Sequence, residues 1–176
     1  MRVSFLALGA GLVLASLPTA SDAQRADNDI LLRSVALQHE GENAQRAGNL
    51  DGAIDYYESA LAADPRNRSA IIALAQVARA QGLPGKAIAL YREALLLEPN
   101  DVVALAGQGE ALADKGALEL AREKLADARR VCSDACPQVA ALEKAIDAGA
   151  SKRVVAAEAI APKPVVTTAN PPSGQN

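Results

Sequence analysis

Three stretches of this chain superimpose on one another at a shift of 34 residues. Residues 48–65 read GNLDGAIDYYESALAADP, residues 82–99 read GLPGKAIALYREALLLEP, and residues 116–133 read GALELAREKLADARRVCS. Gly48, Gly82 and Gly116 share a position, as do Ala53, Ala87 and Ala121, and Ala60, Ala94 and Ala128. Tyr57 and Tyr91 share a slot that Leu125 fills in the third copy, and Pro65 and Pro99 share one where the third copy has Ser133. A period of this length, held through two intervals, marks a solenoid in which each copy is one supersecondary unit stacked on the next. Val, Ile and aromatic residues never alternate with polar ones over a useful run, so strands are not expected. The fold class expected is all-α.

The chain order gives paired helices. A first helix starts near Ile30 and runs toward Ala47, where Gly48-Asn49 ends it and caps the next. The second, from Leu50 to Ala63, places Ile54, Tyr57 and Leu61 on one face. Pro65 stops it, because proline lacks an amide donor and restricts the residue before it. Asn67 caps a third helix from Arg68 to Gln81, and Pro84 occupies a first-turn position in the fourth, which ends at Leu97. The third pair covers about 101–115 and 117–131. Gly107 and Gly109 lie inside its first helix, and each costs up to ~1 kcal/mol against alanine, so this repeat should be the least stable.

With these residues in view, the chain from about Ser34 to Cys132 resembles three tetratricopeptide repeats, each a helix-turn-helix. The family's small residues fall on Gly41, Ala75 and Gly109 in the first helices. Its Ala, aromatic and Ala slots fall on Ala53, Tyr57 and Ala60 and on Ala87, Tyr91 and Ala94, and its closing proline on Pro65 and Pro99. The pattern departs at Leu37, Ile71 and Leu105, where a Trp is common, and at Ala44, Ala78 and Leu112, where a Tyr is common. The resemblance implies a right-handed superhelical solenoid, with repeats at about 34–67, 68–101 and 102–135 within 30–135. A terminal repeat needs a cover. Residues 137–149, PQVAALEKAIDAG, offer one through Val139, Leu142 and Ile146, with Glu143, Lys144 and Asp147 toward water. A weak continuation of this helix is read through Lys152 to Ala159. Residues 150–176 are assigned to a flexible Pro-rich tail that holds four of the nine prolines.

At the other end, Arg2 precedes an uncharged run over residues 3–17, then Pro18 and small residues. Ser21 and Ala23 fit a small-x-small cleavage pattern, so residues 1–23 read as a signal peptide cut before Gln24, with 24–29 a flexible lead-in. At about 15 residues the run is short for a membrane anchor, which needs ~20. The expectation is an exported chain, in a bacterial periplasm or secreted, with no membrane insertion once the signal is removed. Losing Arg2 and Asp22 leaves the formal charge at −3, too even a balance for nucleic acid as the main partner.

Cys132 and Cys136 are the only cysteines. In an exported chain an even count favours a disulfide. A redox-active pair is the alternative, although CxxxC is not the CxxC spacing of thioredoxin-like proteins. Two thiolates without nearby His fall short of a metal site. His39, the lone histidine, has no partner nucleophile in the pattern, and no glycine-rich phosphate loop is present. The chain is expected to need no cofactor and to catalyse nothing.

Function then falls to surface. The resemblance implies a concave groove lined by the first helices, which usually binds a peptide or a partner helix. Its groove-facing slots fall on Gln38, Glu42, Gln45 and Arg46, on Ile72, Gln76 and Arg79, and on Val103, Ala106, Glu110 and Asp114. Arg46 and Arg79 stand out as anchors for a carboxylate or a backbone carbonyl. The slots of the family's carboxylate clamp hold Gln38, Glu42, Ala73, Val103 and Gly107, so that clamp is absent. The expected role is a scaffold or adaptor of the cell envelope that binds a segment of another envelope protein. A thiol redox module and a self-assembling subunit are the alternatives.

Overall fold

In a computed structural model the described residues are 31–132 and 136–160, with side chains to Lys152. They form seven α-helices and no strand: α1 Leu32–Arg46, α2 Leu50–Ala63, α3 Arg68–Ala80, α4 Pro84–Leu97, α5 Val102–Asp114, α6 Leu118–Val131 and α7 Pro137–Ile160. Each helix packs on the next, and α1, α3, α5 and α7 also touch in sequence, which gives the right-handed superhelical solenoid. The expected signal peptide, the lead-in and residues 161–176 lie outside the described residues.

The turn inside each repeat has one construction. Gly48, Gly82 and Gly116 adopt φ of 77°, 72° and 83°, the left-handed region open to glycine without a Cβ penalty. The amides of Asn49, Leu83 and Ala117 then donate to the carbonyls of Ala44, Ala78 and Leu112, each at 2.9 Å. These are the six-to-one bonds of a Schellman motif, which satisfy carbonyls the helix end would leave open. Helix starts are capped as their sequence suggests. Asn49 Oδ1 accepts from the Gly52 amide, Asn67 Oδ1 from Ala70, and Asp101 Oδ1 from Val103 and Ala104. Each such cap contributes about 1 kcal/mol.

Between repeats, polar groups take over. Ser34 Oγ donates to the Ala60 carbonyl at 2.7 Å and accepts from Asn67 Nδ2 at 2.9 Å, all buried. The buried Asp64 carboxylate accepts from the Leu31 amide at 3.0 Å, tying the start of α1 to the link after α2. One period later the slots of Ser34 and Asn67 hold an ion pair, Arg68 with Asp101 at 2.9 Å. The repeat thus keeps the contact and changes its chemistry.

The core combines many alanines and two tyrosines with a smaller set of Ile, Leu and Val. Tyr57 and Tyr91 are the largest fully buried side chains. Tyr57 lies against Gly41, where an added Cβ would meet its Cε1 at 2.5 Å, and Tyr91 lies against Gly107, where such a Cβ would run into the ring Cζ. Gly109 is where α7 seats, because a Cβ there would lie 2.7 Å from Leu142 Cδ2. The two glycines of α5, read from sequence as a weakness, are therefore sites of close packing, which offsets their conformational cost.

α7 covers the last repeat with Leu142 and Ile146, buried against Leu112, Ala113 and Leu118. The helix runs past 149 to Ile160, along the weak continuation read through Ala159, so the assignment of residues 150–160 to a tail is corrected. Gly149, inside the helix, serves close approach: a Cβ there would meet Leu118 Cδ2 at 2.8 Å.

Two glycine-to-alanine variants separate packing from propensity. Gly107→Ala should lose about 1–3 kcal/mol in urea denaturation, because the methyl group has no room beside the buried Tyr91 ring. Gly85→Ala, with nothing within 4 Å of the new methyl, should gain about 0.5–1 kcal/mol. A Gly107→Ala chain as stable as the parent would contradict the close seating of Tyr91.

Candidate functional site

The first helices of the repeats form one wall of the solenoid. Along α1 and α3, side chains spaced by three and four residues share a face, and this register brings Gln38, Glu42, Gln45, Arg46 and Gln76 around one cavity of about 590 Å³. Its remaining lining is Tyr57, Ser69, Ile72 and Ala73, so the chamber has an apolar floor and a polar rim.

Its polar groups are organised mainly within α1. Gln38 Nε2 donates to Glu42 Oε1 at 2.8 Å, and Tyr57 Oη donates to Gln45 Oε1 at 2.8 Å. His39 Nδ1 lies 3.1 Å from Glu42 Oε2 on the exposed side. The Gln38 hydrogen bond, aided by His39 and Arg46 against a burial effect, holds the Glu42 carboxyl below the usual range. Arg46 reaches the Asn43 side chain and the Glu42 carbonyl, both neutral acceptors. Among the described residues it forms no ion pair, and its charge reaches the Glu42 carboxylate only as a minor contribution.

Arg79 behaves otherwise. It was read as an anchor for a ligand, but it already binds two carboxylates of its own chain. Its guanidinium pairs with Glu110 and, at 2.6 Å, with Asp114. Burial raises the Glu110 carboxyl above its ordinary range, opposed by Arg79. Arg79, Glu110 and Asp114 thus form a closed cluster where α3 meets α5, and the reading of Arg79 as a free anchor is corrected. Ala106 is corrected too: it is buried in the core under α7 instead of facing the groove. Val103 is half-buried and packs against the tyrosine core around Tyr91.

Beyond the Arg79 cluster a second cavity of about 580 Å³ opens between α5 and α7. Its lining includes Arg79, Glu110 and Asp114, together with Lys115, Lys144 and Lys152, which the sequence reading did not place at a site. The signal was present: Lys144 and Lys152 stand eight residues apart, two helical turns, and so share a face once α7 is known to run that far.

Cys132 and Cys136 come together where α6 passes into α7, with Cα atoms 6.3 Å apart, within the range a disulfide spans. Among the described residues no group of three or more His, Cys, Asp or Glu is arranged to hold a metal ion. No helix among them is long and apolar enough to cross a membrane.

A profile described as tetratricopeptide repeat matches residues 40–101 and 72–140. No curated protein matches the chain. Among solved structures, the Sgt2 TPR domain from Aspergillus fumigatus superimposes with a TM-score of 0.65 at 23% identity, over 80% of this chain and 92% of that one. The first TPR of Spaghetti (RPAP3), bound to the HSP90 peptide SRMEEVD, gives 0.61 at 22%, over 67% and 96%. The TPR2B domain of yeast Sti1 in its pHsp70 complex gives 0.63 at 17%, over 70% and 100%. At these identities the likeness is one of fold.

Burial pushes the phenols of Tyr57 and Tyr91 up to about 12, with Glu42 and Glu110 respectively adding to the shift. An unfolded phenol ionises near 10. The native state therefore keeps protons that the unfolded chain loses, so this stabilisation is intact below about pH 10 and lost as pH rises through about 12. Tyr91→Phe should flatten the alkaline fall in unfolding free energy by about 1.4 kcal/mol per pH unit in that window. Parallel pH–stability curves for parent and variant would contradict the burial of that hydroxyl.

Proposed function

Because this chain belongs to the tetratricopeptide repeat family, we propose that it is a non-catalytic scaffold whose concave chamber holds a segment of a partner protein. The observation that carries this reading is the chamber between α1 and α3. It is an open cavity with an apolar floor at Ile72 and Ala73, rimmed by Gln38, Glu42, Gln76 and an Arg46 whose hydrogen-bond acceptors are neutral. Such a site offers a preformed surface with several modest contacts, so little ordering cost opposes binding. Solved structures of the same fold carry HSP90 and HSP70 peptides. The clamp slots in this chain hold Gln38, Glu42, Ala73, Val103 and Gly107, so its segment is read by different side chains.

The setting we propose is the cell envelope, after removal of residues 1–23. The basic residue, short apolar run and small-x-small site support it. In that setting the Cys132–Cys136 pair is a structural disulfide joining α6 to α7, worth ~2 kcal/mol through closure of a small ring. It stands where Pro65 and Pro99 close the earlier repeats.

Crosslinking capture from an envelope fraction tests the chamber. The parent chain should retain a partner that an Arg46→Glu/Gln76→Ala variant loses while its circular dichroism melt is unchanged. Equal capture by both would overturn the assignment of binding to this chamber. For the thiols, intact mass under non-reducing conditions should show two hydrogens fewer than the reduced chain, and two free thiols would remove the disulfide.

A further inference from the structure

We propose that the trough between α5 and α7 is a second contact surface, built to take an acidic segment of a partner polypeptide. The proposal rests on the reading that a partner runs along the concave wall, since Arg79 lies one turn beyond Gln76 on α3 and leads into the trough.

The argument starts from how α7 sorts its charges. Lys144 and Lys152 face the trough along with alanines of the same helix, whereas Glu143 and Asp147 line the opposite groove against α6. There Glu143 pairs with Arg129. Lys115, the residue that ends α5, adds a third ammonium group from the other bank. None of the three lysines makes an ion pair among the described residues.

The trough's two carboxylates, Glu110 and Asp114, are both engaged by Arg79. Four cations therefore stand against two anions that are already committed, and the surplus positive charge belongs to the lysines. This surplus is local, because the whole chain carries a formal charge of −3. A broad anionic surface such as a bilayer or a nucleic acid would meet that net negative charge, while a narrow acidic segment meets only the lysines. The floor is made of alanine methyl groups, and the cavity of about 580 Å³ admits small side chains between the ammonium groups. These lysines lie at the end of the last repeat and on the capping helix, away from the clamp slots of the repeats.

The test uses the chain as purified and short fluorescein-labelled peptides of alternating alanine and glutamate, with alanine–glutamine and alanine–lysine peptides of equal length as comparisons. Fluorescence anisotropy should show binding of the glutamate peptide alone, weakening as salt rises. Lys144→Glu/Lys152→Glu should weaken it by about tenfold or more with an unchanged melting curve, and Arg46→Glu should leave it intact. Equal affinity for the glutamine peptide, or full affinity in the folded double-lysine variant, would overturn the proposal. So would tighter binding to phosphatidylglycerol vesicles than to the peptide, which would make the surplus charge a membrane contact. If the peptide fails while envelope capture persists, the trough reading falls and the chamber reading stands. If the peptide binds while capture by the parent chain fails, the reverse holds.

Discussion

Helices in this molecule meet across alanine and glycine, and two tyrosines fill the space that those small residues leave. Tyr57 against Gly41 and Tyr91 against Gly107 set how closely neighbouring helices approach, because a single methyl group at either glycine would collide with a buried ring. Interiors this close-packed do not absorb a methyl group by drifting apart. The position of the concave wall follows from that spacing. α3 and α5 are held between neighbours on several sides, and most of their residues are buried, whereas α1 at the open end buries only Ser34 and Gly41.

What could be read from sequence was whatever the chain repeats. The turn glycines and the paired alanines recur at fixed offsets, and the caps at Asn49 and Asn67 follow from their residue type, so each has a local cause. The misreadings share a different origin. Arg79 looked like a free anchor because its partners, Glu110 and Asp114, lie a full repeat away and belong to another helix. Ala106 was given to the groove by register alone, although the addition of α7 buries it. Lys144 was grouped with Glu143 and Asp147 as solvated, since which face of α7 meets the trough depends on how that helix docks. Residues whose role is set by a non-local neighbour were not legible.

The Arg79 cluster also divides the concave wall into two environments. On one side the chamber is mixed in character and organised by hydrogen bonds within α1. On the other side the trough is dominated by ammonium groups. A half-buried arginine satisfied by two carboxylates adds little net stability, because desolvation opposes the attraction, but it does fix orientation. Here it holds the ends of α3 and α5 in register, and so keeps the two cavities at a set spacing.

Among the described residues the contacts between helices run to the next helix or the next but one, with none reaching across the whole stack. Such a chain has no keystone. Tension applied at its C-terminal end would be borne by α7 and its seat on Leu118 and Leu112 before it reached the tyrosines. The molecule would yield by peeling, one interface after another, and the chamber between α1 and α3 would be among the last parts to lose its shape. A binding surface placed at the end of a stack opposite the point of tension can keep its form while the far end is pulled, frayed or handed to another protein.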